Sequence, residues 1–488
     1  MTLHSLPFIA FFSAVFLLYY APFRFRDKAL YQNVLLLTVS YLFYGLVNWK
    51  MIPLLIAASA VYYALGIAIA DAGESSRKAN MFAALGACIG IALLLYFKYL
   101  NFFITSFIDL CKLFGLRANI HTLHIMMPLG LSFWTFKLMS YCFEVRDKTA
   151  PVRGLIPFAV YVAFFPAMTA GPIDRPDKFI PQLRSERTFD YGLGVDGARQ
   201  MVWGMFKKLV IADRFTITID NAWSVPLETA GVNLLIAAFL FSVQLYADFS
   251  GYSDMAIGAG KLLALKTAKN FNYPFFARNI AEFWRNWHIS LTSWLTDYVF
   301  MPLHDHFRAW GKAGVMLAIG INFLLVGLWH GANWTFVALG VYHGVLYIPL
   351  IASGSFGRIP KHRVNSIGFP PLKDALRMLL TFTLVTFGMV ILRAHSISLW
   401  LEYLRALVFN FFPLSLSPAM VQGETRILAS VALLFVEWFS FRYKMEYALC
   451  LATKFNRVCR YAAYVLIAVL VSAYLFGADT QEFVYQQF

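Results

Sequence analysis

The sequence predicts an all-α protein that crosses a membrane many times, and two observations support this fold class. Hydrophobic residues fill 60% of the 488 positions and charged residues only 14%, whereas charged residues make up about a quarter of an ordinary soluble domain. Apolar stretches of at least about 17 residues recur along the whole chain, and each can cross roughly 30 Å of hydrocarbon. A soluble catalytic domain of any size is therefore excluded.

The positions of these stretches predict about ten to twelve crossings within a single integral-membrane domain over residues 1–488. The expected spans are 5–22, 30–47, 51–70, 81–109, 125–143, 155–170, 200–216, 231–247, 313–329, 332–352, 375–393, 427–441 and 461–477. The stretch at 155–170 and a further one at 399–416 are candidates for re-entrant or interfacial helices.

The positive charges of the loops predict the orientation in the membrane. Residues 1–22 carry no Lys or Arg, and a basic loop follows at 23–28. A cleavable signal peptide has its basic residues first, so we expect this stretch to remain as a helix with its N-terminus outside. The basic loops at 358–373 and 442–460 are then cytoplasmic. Both termini are expected outside, so the number of crossings is even and at least one expected span does not cross.

The net charge of +15 does not indicate nucleic acid binding. The chain has no concentrated basic arm and no basic and aromatic platform outside the apolar stretches, and the excess charge suits loops that face anionic lipid headgroups. The five cysteines show no paired metal spacing. His304-Asp-His306 offers two imidazoles, but a catalytic zinc takes three protein ligands. We therefore expect no metal and no bound cofactor.

His330 lies in an apolar segment that is predicted to be at membrane depth. The residues just before it, 313–328, are almost entirely apolar. An ionisable side chain at that depth costs several kcal/mol unless it faces a protein interior or a water-filled cavity. His330 is therefore a candidate functional residue. The alternative is a structural histidine that is bonded to a backbone carbonyl.

A second candidate site precedes His330 by 42 residues, in the segment Glu282-Phe-Trp-Arg-Asn-Trp-His-Ile-Ser290. Arg285 donates up to five hydrogen bonds, which suits an anionic or carbonyl-bearing ligand. On a helix, Arg285 and Trp284 would each share a face with His288. The alternative is an interfacial aromatic belt with an arginine that reaches the lipid headgroups.

Three polar regions interrupt the apolar spans. The prolines of 165–176 predict a re-entrant turn or an interfacial elbow, since irregular backbone at membrane depth must be covered by protein or by a watery cavity. Asp248 and Asp254 follow the predicted helix 231–247, where they either line a cavity or form a helix cap and a turn. The amphipathic segment 270–306 is better suited to lining a cavity than to facing lipid.

Taken together, these segments resemble the membrane-bound O-acyltransferase (MBOAT) superfamily. The likeness is greatest to its bacterial polysaccharide branch, typified by the membrane subunit of alginate O-acetylation, and extends more distantly to the teichoic-acid D-alanylation branch. It runs nearly end to end and rests on Leu6-Pro-Phe, Met127-Pro-Leu-Gly-Leu-Ser-Phe133, Ala170-Gly-Pro-Ile173, Gly204-Met-Phe-Lys-Lys-Leu-Val-Ile-Ala-Asp213, Tyr246-Ala-Asp-Phe-Ser-Gly-Tyr-Ser-Asp-Met-Ala256, Asn270-Phe-Asn-Tyr-Pro274, Phe283-Trp-Arg-Asn-Trp-His-Ile-Ser-Leu291 and Gly327-Leu-Trp-His-Gly-Ala332. The segment Pro302-Leu-His-Asp-His306 departs from the branch, which often has a glycine pair there.

The resemblance implies a ring of tilted helices around a central catalytic tunnel. The family core would cover approximately 125–395, with peripheral helices in 1–124 and 396–488. It further implies that His330 is the central catalytic histidine and His288 the second one, and a histidine suits general acid–base catalysis near neutral pH. Candidate substrate-binding or orienting residues are Arg285, Trp284, Trp287, Asn333, Tyr246, Asp248 and Ser253.

The resemblance also implies a reaction. An acyl group, most simply acetyl, would pass from a cytoplasmic thioester (acetyl-CoA or an acyl-carrier-protein thioester) across the bacterial inner membrane toward hydroxyls of an extracytoplasmic polysaccharide, through a partner transferase outside. The aromatic tail resembles the C-terminal motif of the branch, which implies that Tyr485 relays the acyl group; the alternative is an interfacial anchor. Two other functions stay open: a transporter or flippase without transferase activity, and transfer of D-alanyl or another acyl group to an envelope polymer.

Overall fold

The all-α class is confirmed. The structure is a computed structural model that describes residues 1–23, 25–74, 76–116, 120–147, 150–358, 364, 368–412, 414, 424–477 and 483. Helices account for 77% of the described residues, which contain no β-strand.

The first nine helices cover the N-terminal two fifths of the chain. They are α1 Leu6–Tyr19, α2 Lys28–Asn48, α3 Ile52–Asp71, α4 Arg77–Leu94, α5 Leu100–Leu113, α6 Leu131–Arg146, α7 Leu155–Ala163, α8 Pro176–Phe179 and α9 Tyr191–Met205. The remaining described helices are α10 Asp213–Ser224, α11 Gly231–Leu262, α12 Ile280–Asn286, α13 Ile289–Leu295, α14 Met301–His306, α15 Gly311–His330, α16 Trp334–Leu346, α17 Ile348–Ala352, α18 Leu372–Arg393, α19 Ile397–Phe409, α20 Glu424–Arg442 and α21 Arg457–Gly477.

The chain is a multi-pass membrane protein. Seven helical stretches of the described residues are long and apolar enough to cross a membrane: Lys28–Asp71, Arg77–Leu113, Gly231–Leu262, Arg308–His330, Trp334–Ala352, Leu372–Arg393 and Arg457–Phe476. The first contains 44 residues and comprises α2 and α3, so it is long enough for two crossings of about 20 residues each. The total of ten to twelve crossings stays a prediction.

The described residues group into two compact units, Met1–Met201 with Met255–Ala268 and Val202–Asp254 with Lys269–Phe488. In the first unit, α7 contains nine residues and extends only about 14 Å. That is less than half of the hydrocarbon thickness, so α7 does not cross by itself, in line with the re-entrant or interfacial prediction. The irregular backbone that follows it is covered by protein, since Phe164, Phe165 and Ala167 are fully buried.

The helix that was expected to end near residue 247 continues to Leu262, so the prediction of a cap and a turn at Asp248 and Asp254 is wrong. Both carboxylates are neutralised within the second unit. Asp248 Oδ1 lies 2.8 Å from Lys208 Nζ, and Asp254 Oδ2 lies 2.6 Å from Lys207 Nζ. Because each negative charge has a buried partner, the helix passes through this polar stretch without breaking.

The second unit holds α15 and α16 as a closely packed pair. A Cβ atom at Gly340 would lie 2.5 Å from the carbonyl oxygen of Phe323, and one at Gly327 would clash with the carbonyl of Phe336. Small residues at a helix crossing let the two backbones approach each other. This packing fixes the end of α15, where His330 lies.

Candidate active site

His330 is the last residue of α15 and is buried, with 7% of its surface exposed. The chain turns sharply after it because Gly331 has extended backbone and Asn333 caps α16. The Asn333 side chain accepts a hydrogen bond from Thr335 N at 3.1 Å and donates one to the carbonyl of His395 at 2.9 Å. Asn333 thus holds the turn that follows His330, which supports an orienting role through the backbone.

His288 lies in a tight turn between α12 and α13 and is 1% exposed. Its backbone is left-handed, with φ 46° and ψ 52°, a conformation that is uncommon and costly for residues other than glycine. The turn ends the helix that carries Arg285 and Trp284, so the prediction that His288 shares a helix face with them is wrong. The imidazole instead contacts the rings of Phe249 and Trp329.

Asn270 holds this turn, a role that the sequence did not reveal. Its backbone carbonyl accepts from Ile289 N at 2.8 Å, and its side-chain oxygen accepts from Ser290 Oγ at 2.6 Å. Its Nδ2 donates to Ser253 Oγ at 3.0 Å. Ser253, a predicted substrate-binding residue, therefore belongs to the buried network that fixes the backbone next to His288.

The two candidate histidines meet around one indole. The Trp329 ring is edge-on to both imidazoles, with ring centroids 5.2 Å from His288 and 5.2 Å from His330. The His288 ring also packs edge-on against Phe249 at 4.6 Å. Burial lowers the pKa of His288 well below its usual value, and a charge on His330 lowers it further. His288 is therefore held neutral, and the two imidazoles are electrostatically coupled.

A cavity of about 400 Å³ lies in the second unit, and neither His288 nor His330 is among the residues that line it. Ile319, Asn322 and Val326 line it from α15, and their spacing of three and four residues continues to His330 along the same helix face. Ile289, the residue after His288, lines it from α13. The cavity thus follows the face of α15 that ends at His330.

Arg285 and Trp284 line this cavity in different places. Trp284 is buried in its wall, whereas Arg285 is exposed at its rim. Arg285 Nη2 donates to the carbonyl of Phe356 at 3.1 Å. An arginine at the mouth can bind an anionic part of a ligand while the reacting part extends inward.

His343 supports the cavity wall and was also missed. It lies in α16, is 2% exposed, and its Nδ1 accepts from Trp284 Nε1 at 3.4 Å. The two rings are perpendicular with centroids 4.9 Å apart. No local pattern marks His343, because its position on an apolar helix face resembles that of any core residue.

Three further predicted residues lie outside the cavity lining. Trp287 is 1% exposed and stacks on Phe283 with ring centroids 5.4 Å apart. Tyr246 donates to Glu437 Oε1 at 2.9 Å. Asp248 forms its ion pair with Lys208. These contacts make Trp287 part of an aromatic cluster, and Tyr246 and Asp248 part of a buried charged network on α11.

Phe483 is the residue beyond α21 that the structure describes, and it is 2% exposed. Its ring packs against Tyr252 with centroids 4.7 Å apart, and Lys208 Nζ lies 4.6 Å from its centre. Phe483 is therefore buried in protein of the second unit rather than set among lipid headgroups. The predicted relay residue, Tyr485, lies outside the described residues.

Comparisons with known proteins identify a family. The family model described as MBOAT, membrane-bound O-acyltransferase family, matches residues 124–358. A probable alginate O-acetylase AlgI of Azotobacter vinelandii is 35% identical over 419 residues, or 84% of this chain and 80% of that protein. The peptidoglycan O-acetyltransferase of Helicobacter pylori is 30% identical over 430 residues (82% and 78%), and the teichoic acid D-alanyltransferase of Bacillus subtilis is 30% identical over 280 residues (54% and 68%). Both histidines and the whole cavity lining fall within the matched range.

Proposed function

Because the chain belongs to the membrane-bound O-acyltransferase family and is an O-acyltransferase, we propose that it moves an acetyl group from a cytoplasmic thioester to hydroxyls of an extracytoplasmic polysaccharide. The two buried histidines that contact the Trp329 ring carry the proposal, and a cavity with the exposed Arg285 at its rim runs along the face of α15 that ends at His330. The names of two relatives, an alginate O-acetylase and a peptidoglycan O-acetyltransferase, favour acetyl as the group and a polysaccharide as the acceptor.

The cavity suits a thioester donor that enters from the cytoplasm. Arg285 contacts Phe356, two residues before the basic loop that begins at Arg358, and the positive-inside rule assigns that loop to the cytoplasm. Phosphate groups of acetyl-CoA, or of the carrier-protein prosthetic arm, would bind at this guanidinium. The donor reaches its site from solution, and no bound cofactor is required.

The acyl transfer needs a general base for the acceptor hydroxyl and a proton donor for the leaving thiolate. His330 accepts the proton of an acceptor hydroxyl while the oxygen attacks the thioester carbonyl. A C–O bond forms and the C–S bond breaks, and His330 returns the proton to the departing thiolate. His288 stays neutral beside it, because its pKa is lowered by burial and by a charge on His330. It therefore donates or accepts a hydrogen bond at the reacting centre without adding a charge.

We further propose that Tyr485 is the first acceptor and that a partner transferase outside the bacterial inner membrane receives the acetyl group from it. The burial of Phe483 supports this step because it anchors the tail inside the unit that contains both histidines. The positive-inside rule assigns the C-terminus to the extracytoplasmic side, where the Tyr485 ester would be delivered to the partner.

Thioester turnover tests the proposed reaction against transport. The purified protein is supplied with acetyl-CoA, and free thiol is measured for the wild type, for His330→Ala and for His304→Ala, which removes an imidazole that is 36% exposed. We expect thiol release by the wild type and by His304→Ala, and a loss of about 10²–10⁴-fold in His330→Ala. A flippase or channel would release no thiol. Turnover of a D-alanyl carrier-protein thioester in place of acetyl-CoA would identify the other acyl group.

Tyr485→Phe tests the relay because it keeps the ring but removes the nucleophile. In cells that depend on this chain, we expect ester-linked acetyl on the surface polysaccharide to fall to background while the amount of membrane-inserted protein is unchanged. Normal acetylation by Tyr485→Phe would leave the tail as an anchor and would refute the relay.

A further inference from the structure

An apolar groove of about 810 Å³ lies between α20 and α21, outside the candidate active site. Its walls include Ala429, Ala432 and Val436 from α20 and Ala463 and Ile467 from α21. The lining on α20 extends from Ala429 to Phe439, which corresponds to about 15 Å of helix. The groove is thus long and narrow, and it runs along two helices of the membrane unit.

One end of the groove is basic. Among the described residues that line it, Lys454 is the one that carries a charge, and it lies at the same end as Tyr443. Arg457 and Arg460 follow at the start of α21. The positive-inside rule assigns this end to the cytoplasmic surface of the membrane, where anionic lipid headgroups are concentrated.

The groove is open because α21 is weakly covered by protein. Only 6% of its most apolar stretch is buried, against 78% for α11. It packs mainly against the π-helical turn Phe206–Ala212 and against Ala448–Lys454. Alanines on both helices, Ala429 and Ala432 on α20 and Ala463 on α21, leave space between them that larger side chains would fill.

We propose that this groove binds an acyl chain of an anionic phospholipid, with the headgroup phosphate at Lys454. An extended acyl chain is slender and spans one leaflet, about 15 Å, which matches the length of the lining on α20 with the polar end at Lys454. The bound lipid would join α21 to α20, where direct side-chain packing is sparse.

Lipid retention tests the proposal without any measurement of acyl transfer. The full chain is purified in mild detergent, and bound phosphatidylglycerol and phosphatidylcholine are measured by native mass spectrometry after each is added. Ala432→Trp fills the groove and is expected to abolish retention of phosphatidylglycerol. Val431→Trp places the same indole on a residue that is 53% exposed and outside the lining, and retention is expected to equal that of the wild type.

The charge of the mouth is tested separately by Lys454→Gln, which leaves the groove open and does not depend on the fold tolerating an added indole. We expect the preference for phosphatidylglycerol over phosphatidylcholine to fall about fivefold, the factor that one basic residue near an anionic surface contributes. Lys373→Gln, which removes a charge outside the lining, should keep the preference. Equal retention by Ala432→Trp and the wild type, or no change of preference in Lys454→Gln, would overturn the proposal.

Discussion

His288 and His343 are both buried histidines of the second unit, but the structure holds them in opposite ways. His288 has left-handed backbone in a turn, and its ring contacts the indole that also contacts His330. His343 lies in the regular helix α16, where its imidazole accepts a hydrogen bond from Trp284. His288 is 1% exposed and His343 is 2% exposed, so the degree of burial does not distinguish the two residues.

The two histidines differ in the free-energy cost of their backbone conformations. A non-glycine residue in the left-handed region costs about 1–3 kcal/mol and persists only where its surroundings enforce it. Asn270 enforces it at His288, and the result is an imidazole next to a second imidazole. His343 carries no such strain, and its hydrogen bond offsets its burial. We infer that His288 is held for chemistry and His343 for the packing of Trp284.

The largest effect is expected at the pair of histidines. His288→Ala should lower thioester turnover at least about 100-fold, and the double variant with His330→Ala should lose little more than the more damaging single variant, since groups that act as a unit are not additive. Initial rates of thiol release from acetyl-CoA measure this. Losses that multiply in the double variant would show that the two histidines act independently. The catalytic assignment would then apply to His330 alone.

A smaller effect is expected when the turn is loosened. Asn270→Ala removes the bonds to Ser290 and Ser253 and should lower turnover about 10- to 100-fold, because a displacement near 1 Å in an active site costs about that much. Ser253→Ala keeps the bond between Asn270 and Ser290 and is the matched variant. A much smaller loss in Ser253→Ala supports the positioning role, whereas an equal or larger loss would make Ser253 a direct ligand of substrate.

The smallest effect concerns the cavity wall. Trp284→Phe keeps an aromatic ring but removes the donor to His343, so the free energy of unfolding should fall by about 1 kcal/mol. The KM for acetyl-CoA should change little. Trp310→Phe, at a residue that is 60% exposed, serves as the control in thermal unfolding. A large loss of turnover in Trp284→Phe with unchanged stability would show that the Trp284 indole takes part in acyl transfer and does not only pack in the cavity wall.

Several parts of this account could be predicted from the sequence because their signals are local. Composition and the length of the apolar stretches predicted the all-α membrane class, and the polar segments around His288 and His330 stood out against that apolar background. The end of α11 could not be predicted in this way. Asp248 and Asp254 favour caps and turns when taken alone, and their neutralising partners lie about 40 positions earlier, at Lys207 and Lys208.

The supporting residues of the site were missed for the same reason. Asn270 acts through contacts with residues 17 and 20 positions away, and His343 through a contact with Trp284, 59 positions away. Asparagine in a loop and histidine in an apolar helix have many uses, so their residue type alone predicts none. Tertiary contacts decided these roles, and only the structure brings the partners together.

The most direct test compares His330→Ala with His343→Ala in one experiment, with thiol release from acetyl-CoA and thermal unfolding measured on the same preparations. We expect His330→Ala to lose about 10²–10⁴-fold in turnover with a melting temperature close to that of the wild type. His343→Ala should melt at a lower temperature, because it leaves a cavity and an unpaired indole donor, while the folded fraction keeps its turnover. Near-normal turnover in a well-folded His330→Ala variant would contradict the assignment of His330 as the catalytic base.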